Sequence, residues 1–168
     1  AVGRVVVLQV EADAGADQDV VDLFVSRMPR EIRLLDHWGL PWSRREDGRI
    51  MQRAFGGHSY PRATFAADKT GFFEMQTLYD TLTRFTNSFT RYDEAFVTSI
   101  VAEDGRFRGL TMIDAPTGRF LALRAKVLLI ATGGMGTLFA FTTYSQTVTG
   151  DGQAMAYRAG LAFEDPEF

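Results

Sequence analysis

Apolar side chains recur at three- and four-residue spacing over residues 17–37, which predicts a helix with one apolar face. The apolar positions of this pattern are Val20, Val21, Phe24, Val25, Met28, Ile32 and Leu35. Asp17 and Asp19 suit the positive N-terminal end of the helix, and Gly39 suits its stop. Pro29 lies inside the pattern and is a candidate break that would divide the helix in two.

Two further segments have helical patterns. The first covers residues 72–85, where Asp68 or Thr70 can cap the helix, and its apolar positions are Phe73, Met75, Leu78, Leu82 and Phe85. The second covers residues 152–160. Residues 39–62 contain a charged turn and a Phe-Gly-Gly sequence, and we predict that they form a loop.

The middle of the chain has the pattern of an antiparallel β-meander. Strands are predicted at residues 96–102, 108–113 and 119–125. Asp104-Gly105 is a strong hairpin signal between the first two strands. Pro116-Thr117-Gly118 then turns the chain into the third strand.

Residues 126–130 are a mostly apolar run after the meander, which is typical of a strand buried on both faces of a sheet. Residues 4–10 are a candidate short strand. A meander that leads into a buried strand, with helices before and after it, predicts an α/β domain with α+β character. The βα repeats are too few for a complete doubly wound sheet.

Composition and charge exclude several functions. The 168 residues suffice for one domain with a core, and 46% of them are hydrophobic. A net charge of −3 gives no electrostatic case for a nucleic-acid partner. Without cysteine there are no disulfides or thiolate metal sites, and two histidines, His37 and His58, are too few for a typical histidine-built metal site. No apolar run approaches the ~20 residues that span a bilayer.

Two glycine motifs are candidate ligand sites. Ala131-Thr132-Gly133-Gly134 follows the predicted buried strand, and glycine lets a ligand approach the backbone at the end of a strand where α/β sheets bind ligands. Its alternative is an ordinary glycine turn. No G-x-G-x-x-G fingerprint for dinucleotide phosphates occurs in the sequence.

The second motif, Thr149-Gly150-Asp151-Gly152, precedes the last predicted helix. N–H groups at a helix N-terminus favour an anion or an oxygen-rich ligand. Asp151 can accept a hydrogen bond from a ligand hydroxyl, or it can cap the helix, which is the commoner role. The two roles do not exclude each other.

Phe55-Gly56-Gly57-His58 is a candidate ligand-facing loop with an aromatic side chain beside glycines. The alternative is a glycine loop whose phenylalanine fills the core. Arginine forks suit carboxylates, and the arginines near this loop are Arg44, Arg45, Arg49, Arg53 and Arg62. Their alternative partners are Glu46 and Asp47.

A series of segments, in this order, resembles the flavoprotein subunit family of succinate dehydrogenase and fumarate reductase. The series includes Gly39-Leu40-Pro41-Trp42-Ser43-Arg44, Gln52-Arg53-Ala54-Phe55-Gly56-Gly57, Ala67-Asp68-Lys69-Thr70-Gly71, Tyr92-Asp93-Glu94, Ala131-Thr132-Gly133-Gly134, Thr149-Gly150-Asp151-Gly152 and Glu167-Phe168. Each segment alone is a weak signal, but their common order is specific. The resemblance covers nearly the whole chain after about residue 17, whereas residues 1–10 match poorly.

This resemblance implies an oxidoreductase that interconverts succinate and fumarate by hydride transfer through FAD. In that family an arginine moves the proton, and electrons pass through an iron–sulfur subunit to a membrane quinone. We therefore expect succinate or fumarate as the substrate, and iron–sulfur and membrane-anchor subunits as partners. The expected location is the cytoplasm, at the inner face of the cell membrane, through those partner subunits.

The resemblance also implies roles for particular residues. The cofactor-binding residues that it implies are Val97, Ala131, Thr132, Gly133, Gly134, Thr149, Gly150 and Asp151. Val97 would meet the adenine through its backbone, and Asp151 would contribute its side chain to FAD binding. Phe55 and Gly56 would contact the dicarboxylate.

Other motifs of the family are missing from this chain. They are the N-terminal phosphate-binding βαβ unit, the histidine that often bonds covalently to FAD, and the capping domain with the catalytic arginine. Residues 1–168 are therefore expected to be a partial FAD-binding domain with no catalytic residue, inactive alone in succinate oxidation. The alternatives are an L-aspartate oxidase-like flavoprotein and a non-catalytic module of the same fold. Pro41-Trp42 and the Phe-Gly-Gly segment favour the first interpretation over L-aspartate oxidase.

Overall fold

A computed structural model describes residues 17–163 of the chain. The candidate strand at residues 4–10 lies outside the described residues. The chain divides into two compact units, whose described parts are residues 17–90 and residues 91–163. Each unit is built from its own helices and strands.

The first unit begins with α1 (Gln18–Trp38). Asp17 caps it, because its carboxylate accepts hydrogen bonds from the N–H groups of Asp19, at 3.0 Å, and of Val20, at 3.5 Å. The helix ends at Gly39, whose φ of 104° is the left-handed conformation that glycine adopts freely. The expected division at Pro29 is wrong, since α1 is continuous through it. Proline removes one N–H from the helix, and the turns on either side remain helical.

The core of this unit lies where α1 meets the chain that follows it. Its buried residues are Leu40, Trp42 and Ala66, with Ile32, Leu35, Ile50 and Phe73 packed against them. The Trp42 indole N–H also donates to the carbonyl of Ile32 at 3.3 Å. The predicted loop contains one short strand, β1 (Gln52–Arg53), which pairs antiparallel with β2 (Ala63–Thr64) just after the loop.

The second helix of this unit, α2 (Thr70–Leu82), continues into a 3₁₀ turn at Thr83–Phe85. The prediction that Asp68 or Thr70 caps it is wrong, because its N-cap is Lys69 and no side chain makes a capping hydrogen bond. The Thr70 hydroxyl instead accepts from the N–H of Ala66 at 3.0 Å. That bond closes the preceding turn, so the oxygen serves the loop rather than the helix end.

The second unit contains the predicted meander. Strands β3 (Ala95–Glu103), β4 (Arg106–Asp114) and β5 (Arg119–Arg124) pair antiparallel in chain order. Asp104 and Gly105 both have positive φ, at 51° and 68°, as the predicted two-residue hairpin turn requires. Helix α3 (Asp151–Arg158) follows, close to the predicted span.

The prediction of a buried strand at residues 126–130 is wrong for the described part of the chain. These residues have no strand conformation, and the Leu129 side chain is 79% exposed. A strand exists only when a neighbour completes its hydrogen-bond ladder, and no described strand pairs with this segment. No helix among residues 17–163 is long and apolar enough to cross a membrane.

Candidate functional site

The two glycine motifs of the second unit touch each other. A Cβ added to Gly152 would lie 1.9 Å from the Thr132 hydroxyl oxygen and 2.7 Å from the Thr132 Cβ. Because real Cβ atoms do not approach other atoms so closely, only glycine fits at this position in this arrangement. The sequence separates the motifs by an intervening loop, and the fold brings them into contact.

Gln153, which directly follows the second motif, is hydrogen-bonded to the first motif. The sequence did not predict this contact. The Gln153 side-chain amide N–H donates to the carbonyl of Gly133. The other side-chain atom, Oε1, is buried and has no hydrogen-bond partner among the described residues. Nothing in the sequence distinguishes this glutamine, since its role depends on where α3 begins and how close Gly133 lies.

Helix α3 begins without a side-chain cap. Its N-cap is Gly150, with φ of 78°, and Asp151 is its first helical residue. The capping role considered for Asp151 is therefore wrong. The Asp151 carboxylate accepts a hydrogen bond from the Thr149 hydroxyl and is otherwise exposed. The first turn of α3 thus presents backbone N–H groups and one carboxylate beside the glycine motifs, a suitable arrangement for an oxygen-rich ligand.

A loop connects the two motifs and is closed at its base. The N–H and the hydroxyl of Thr137 both donate to the carbonyl of Val148, at 3.1 Å and 2.6 Å. Gly136 lies directly under the ring of Tyr144, because an added Cβ would be 2.2 Å from Tyr144 Cδ2. These contacts fix the loop beside the motifs at both of its ends.

Val97 lies in the same unit, on β3. This strand is at one edge of the three-stranded sheet and packs against α3. Val97 pairs with Met112, and the register shifts between Val97 and Ser99. Among the described strands, one side of the β3 backbone is therefore unpaired, as the expected backbone contact with a ligand requires.

Phe55 and Gly56 lie in the first unit, within a turn closed by the His58 N–H, which donates to the Phe55 carbonyl at 3.1 Å. The Phe55 side chain is 63% exposed, so it does not fill the core. Its ring lies 6.0 Å from the His58 ring, between centroids. Apart from the two chain neighbours of Gly56, no atom of the described residues lies within 4 Å of a Cβ added there. The turn therefore presents an open aromatic and glycine surface.

The arginines near this turn have different neighbours. Arg44 pairs with Asp36, and Arg49 pairs with Asp47 at 3.7 Å. Two others lie over aromatic rings, Arg53 at 4.6 Å from the centroid of Phe65 and Arg62 at 5.6 Å from that of Tyr60. The alternative of pairing with Glu46 and Asp47 thus holds only for Arg49. Within residues 17–163, no group of histidine and acidic residues could hold a metal ion.

A family model described as an FAD binding domain matches residues 7–168. The chain belongs to this FAD binding domain family. FAD is thereby confirmed as the cofactor that the sequence predicted. The glycine motifs, the uncapped α3 and the edge of β3 all lie within the matched residues.

Curated relatives of this FAD binding domain confirm the resemblance. The chain is 47% identical over 152 residues to a fumarate reductase flavoprotein subunit of Mycobacterium tuberculosis, across 90% of this chain and 26% of the relative. It is 38% identical over 160 residues to a mitochondrial succinate dehydrogenase flavoprotein subunit of Xenopus laevis, across 90% of this chain and 24% of the relative. The chain spans about a quarter of the length of these relatives.

Solved structures agree with the fold. A structure of Escherichia coli quinol fumarate reductase matches with a TM-score of 0.82 and 39% identity, over 94% of this chain and 29% of that chain. Mycobacterium smegmatis Sdh1 in complex with UQ1 matches with a TM-score of 0.73 and 32% identity, over 82% of this chain and 25% of that chain. The predicted α/β class, with an antiparallel meander and flanking helices, is confirmed.

Proposed function

We propose that this chain forms one wall of the FAD site in an oxidoreductase that interconverts succinate and fumarate. The observation that carries the proposal is the contact between Thr132 and Gly152, which brings both glycine motifs to the start of an uncapped helix. The family match supports FAD as the ligand there. The names of the relatives support succinate and fumarate as the substrates.

The residues of the second unit fit the chemistry of FAD. The cofactor carries hydroxyls and phosphate oxygens, and the N–H groups at the start of α3 are donors for such oxygens. The carboxylate of Asp151 accepts a hydrogen bond from a hydroxyl, and Gly133 and Gly134 leave the backbone open to close approach. FAD supplies hydride transfer when bound, and these residues bind and orient it.

Substrate contact and partners complete the proposal. We propose Phe55 and Gly56 as dicarboxylate contacts, since their turn is exposed and lies in a stretch rich in arginine. The proposed partners are iron–sulfur and membrane-anchor subunits, and the proposed location is the inner face of the cell membrane.

Matches to quinol fumarate reductase and Sdh1 complexes support a place in a multi-subunit assembly. The fumarate reductase and succinate dehydrogenase names favour this function over an L-aspartate oxidase.

Replacing Asp151 tests the cofactor site. We expect Asp151→Ala to weaken FAD binding by about tenfold, because a hydrogen bond to a charged group contributes about 1.5–3 kcal/mol. The measurement is a titration of FAD into the purified chain, followed by flavin fluorescence. Glu103→Ala is the matched control in the same unit, since Glu103 forms an exposed ion pair with Arg108. Equal FAD affinity in Asp151→Ala and the unmodified chain would count against this assignment.

A further inference from the structure

His58 lies in the loop between β1 and β2, and one of its ring nitrogens has no partner. Nδ1 is buried and makes no hydrogen bond among the described residues. A buried polar atom without a partner costs free energy, so such an atom in a folded protein calls for an explanation. The residue as a whole is only half-buried, and its backbone N–H donates to the Phe55 carbonyl at 3.1 Å.

The buried Nδ1 determines which nitrogen of the His58 ring carries the proton. A neutral imidazole has one N–H donor and one acceptor nitrogen, and buried N–H groups without an acceptor are rare in folded proteins. The proton therefore belongs on Nε2. That atom is not among the buried atoms without a partner, and it makes no hydrogen bond within residues 17–163, so it is open to solvent. His58 thus presents Nε2–H as an unoccupied donor.

The residues before His58 leave room for a ligand beside its ring. The Phe55 ring lies 6.0 Å from the His58 ring, between centroids, and is 63% exposed. Gly56 and Gly57 separate these two residues in the chain. Apart from chain neighbours, no atom of the described residues lies within 4 Å of a Cβ added to either glycine. A small ligand can therefore reach the aromatic ring, the backbone and the Nε2–H donor together.

The charges of this loop favour an anion. No Asp or Glu occurs from residue 48 to residue 67. Arg53 is in β1 and Arg62 directly precedes β2, and the side-chain N–H of Gln52 donates to the Arg62 carbonyl at 3.2 Å, so both arginines lie at the base of the loop. Each guanidinium lies over an aromatic ring, and neither forms an ion pair within residues 17–163. Two positive charges without acidic partners raise the local concentration of anions.

We propose that His58 binds one carboxylate of the dicarboxylate substrate, with Nε2–H as the donor to a carboxylate oxygen. This inference rests on the proposed function and adds a polar group to the proposed contacts of Phe55 and Gly56. A hydrogen bond to an ionised carboxylate is about twice as strong as one between neutral groups. His58 breaks no hydrogen bond with a described residue to make it.

NMR of the 15N-labelled chain in the presence of FAD tests the assignment. The chain has only two histidines, so the spectrum of His37→Gln identifies the ring nitrogens of His58. We expect succinate and fumarate to shift the His58 ring nitrogens and the Gly56 amide, and to leave the His37 ring unchanged. Succinamide, in which neutral amides replace both carboxylates, should shift none of them.

Substitutions of His58 give a second readout, the dissociation constant of succinate. His58→Phe keeps an aromatic ring and removes the donor, and we expect it to weaken succinate binding by about tenfold. His58→Gln keeps a side-chain N–H donor and should retain most of the affinity. His37→Gln is the matched control, because His37 lies in the last turn of α1. Circular dichroism checks that each variant is folded.

The outcomes separate this inference from the function on which it rests. The role of His58 is overturned if succinate shifts the Gly56 amide but not the His58 ring, or if His58→Phe binds succinate as tightly as the unmodified chain. Equal shifts with succinamide would overturn the recognition of a carboxylate. No shift of either residue would overturn the proposed substrate contact as well, while saturable FAD binding in the same sample would still support the cofactor site.

Discussion

Gly152→Ala should disrupt the second unit and reduce FAD affinity by about a hundredfold. The added Cβ would lie 1.9 Å from the Thr132 hydroxyl and 2.7 Å from its Cβ, so rotation of Thr132 alone does not relieve the contact. Overpacking of this kind costs about 1–3 kcal/mol. Where the displaced motifs lose a similar free energy from FAD binding, near 3 kcal/mol, the affinity falls by about a hundredfold. The dissociation constant of FAD and the midpoint of thermal unfolding measure both effects.

Helix propensity alone predicts the opposite sign for this substitution. Alanine is favoured over glycine inside a helix by about 1 kcal/mol. Gly71→Ala is the matched control, because Gly71 also lies in the first turn of a helix and has no atom within 4 Å of an added Cβ. It should leave FAD affinity unchanged and keep or raise the melting temperature. The double variant Thr132→Gly/Gly152→Ala should recover stability, since the new Cβ then occupies freed space. A stable, FAD-binding Gly152→Ala chain would refute the contact.

Trp42→Ala should lower the free energy of unfolding by about 3–5 kcal/mol, the range for deleting a buried large aromatic side chain. Trp42 is only 6% exposed and packs in the core of the first unit with Leu40 and Ala66. The substitution also removes the hydrogen bond from its indole N–H to the Ile32 carbonyl. Urea unfolding followed by circular dichroism gives the free energy.

Phe55→Ala provides the comparison, because Phe55 is also a large aromatic residue of the first unit but, unlike Trp42, is exposed. We expect a change within about 0.5 kcal/mol, as for other surface substitutions. Trp42→Phe should be intermediate, since it keeps a ring and loses the hydrogen bond. Equal stability losses for Trp42→Ala and Phe55→Ala would contradict the described core.

Hydrophobic periodicity predicted much of the fold from local information. The helix over residues 17–37, the meander and the hairpin turn at Asp104-Gly105 all depend on side chains near each other in sequence, and all are confirmed. The strand prediction at residues 126–130 is wrong because a strand needs a partner, and none of the described strands pairs with this segment. The position of a partner strand is not encoded locally. The predicted cap of α2 is wrong for a related reason. The Thr70 hydroxyl accepts a hydrogen bond from the N–H of Ala66 and does not cap the helix.

The candidate site was predictable in part. The sequence predicted the glycine motifs as ligand sites, because glycine at the end of a strand or before a helix lets a ligand approach the backbone closely. Their contact through Thr132 and Gly152 depends on the fold of the whole unit. The same holds for the hydrogen bond of Gln153 to Gly133. The ligand-binding roles of both glycine motifs, of Asp151, and of Val97, Phe55 and Gly56 all stay predictions.

The central claim is that this chain holds FAD on the residues around Asp151 and the two glycine motifs. Titration of FAD into the unmodified chain, followed by quenching of flavin fluorescence, tests it most directly. We predict saturable binding at a single site, with the affinity lowered in Asp151→Ala and unchanged in Glu103→Ala. A linear titration with no saturation, from a chain whose circular dichroism spectrum has the expected helix and strand content, would contradict the claim.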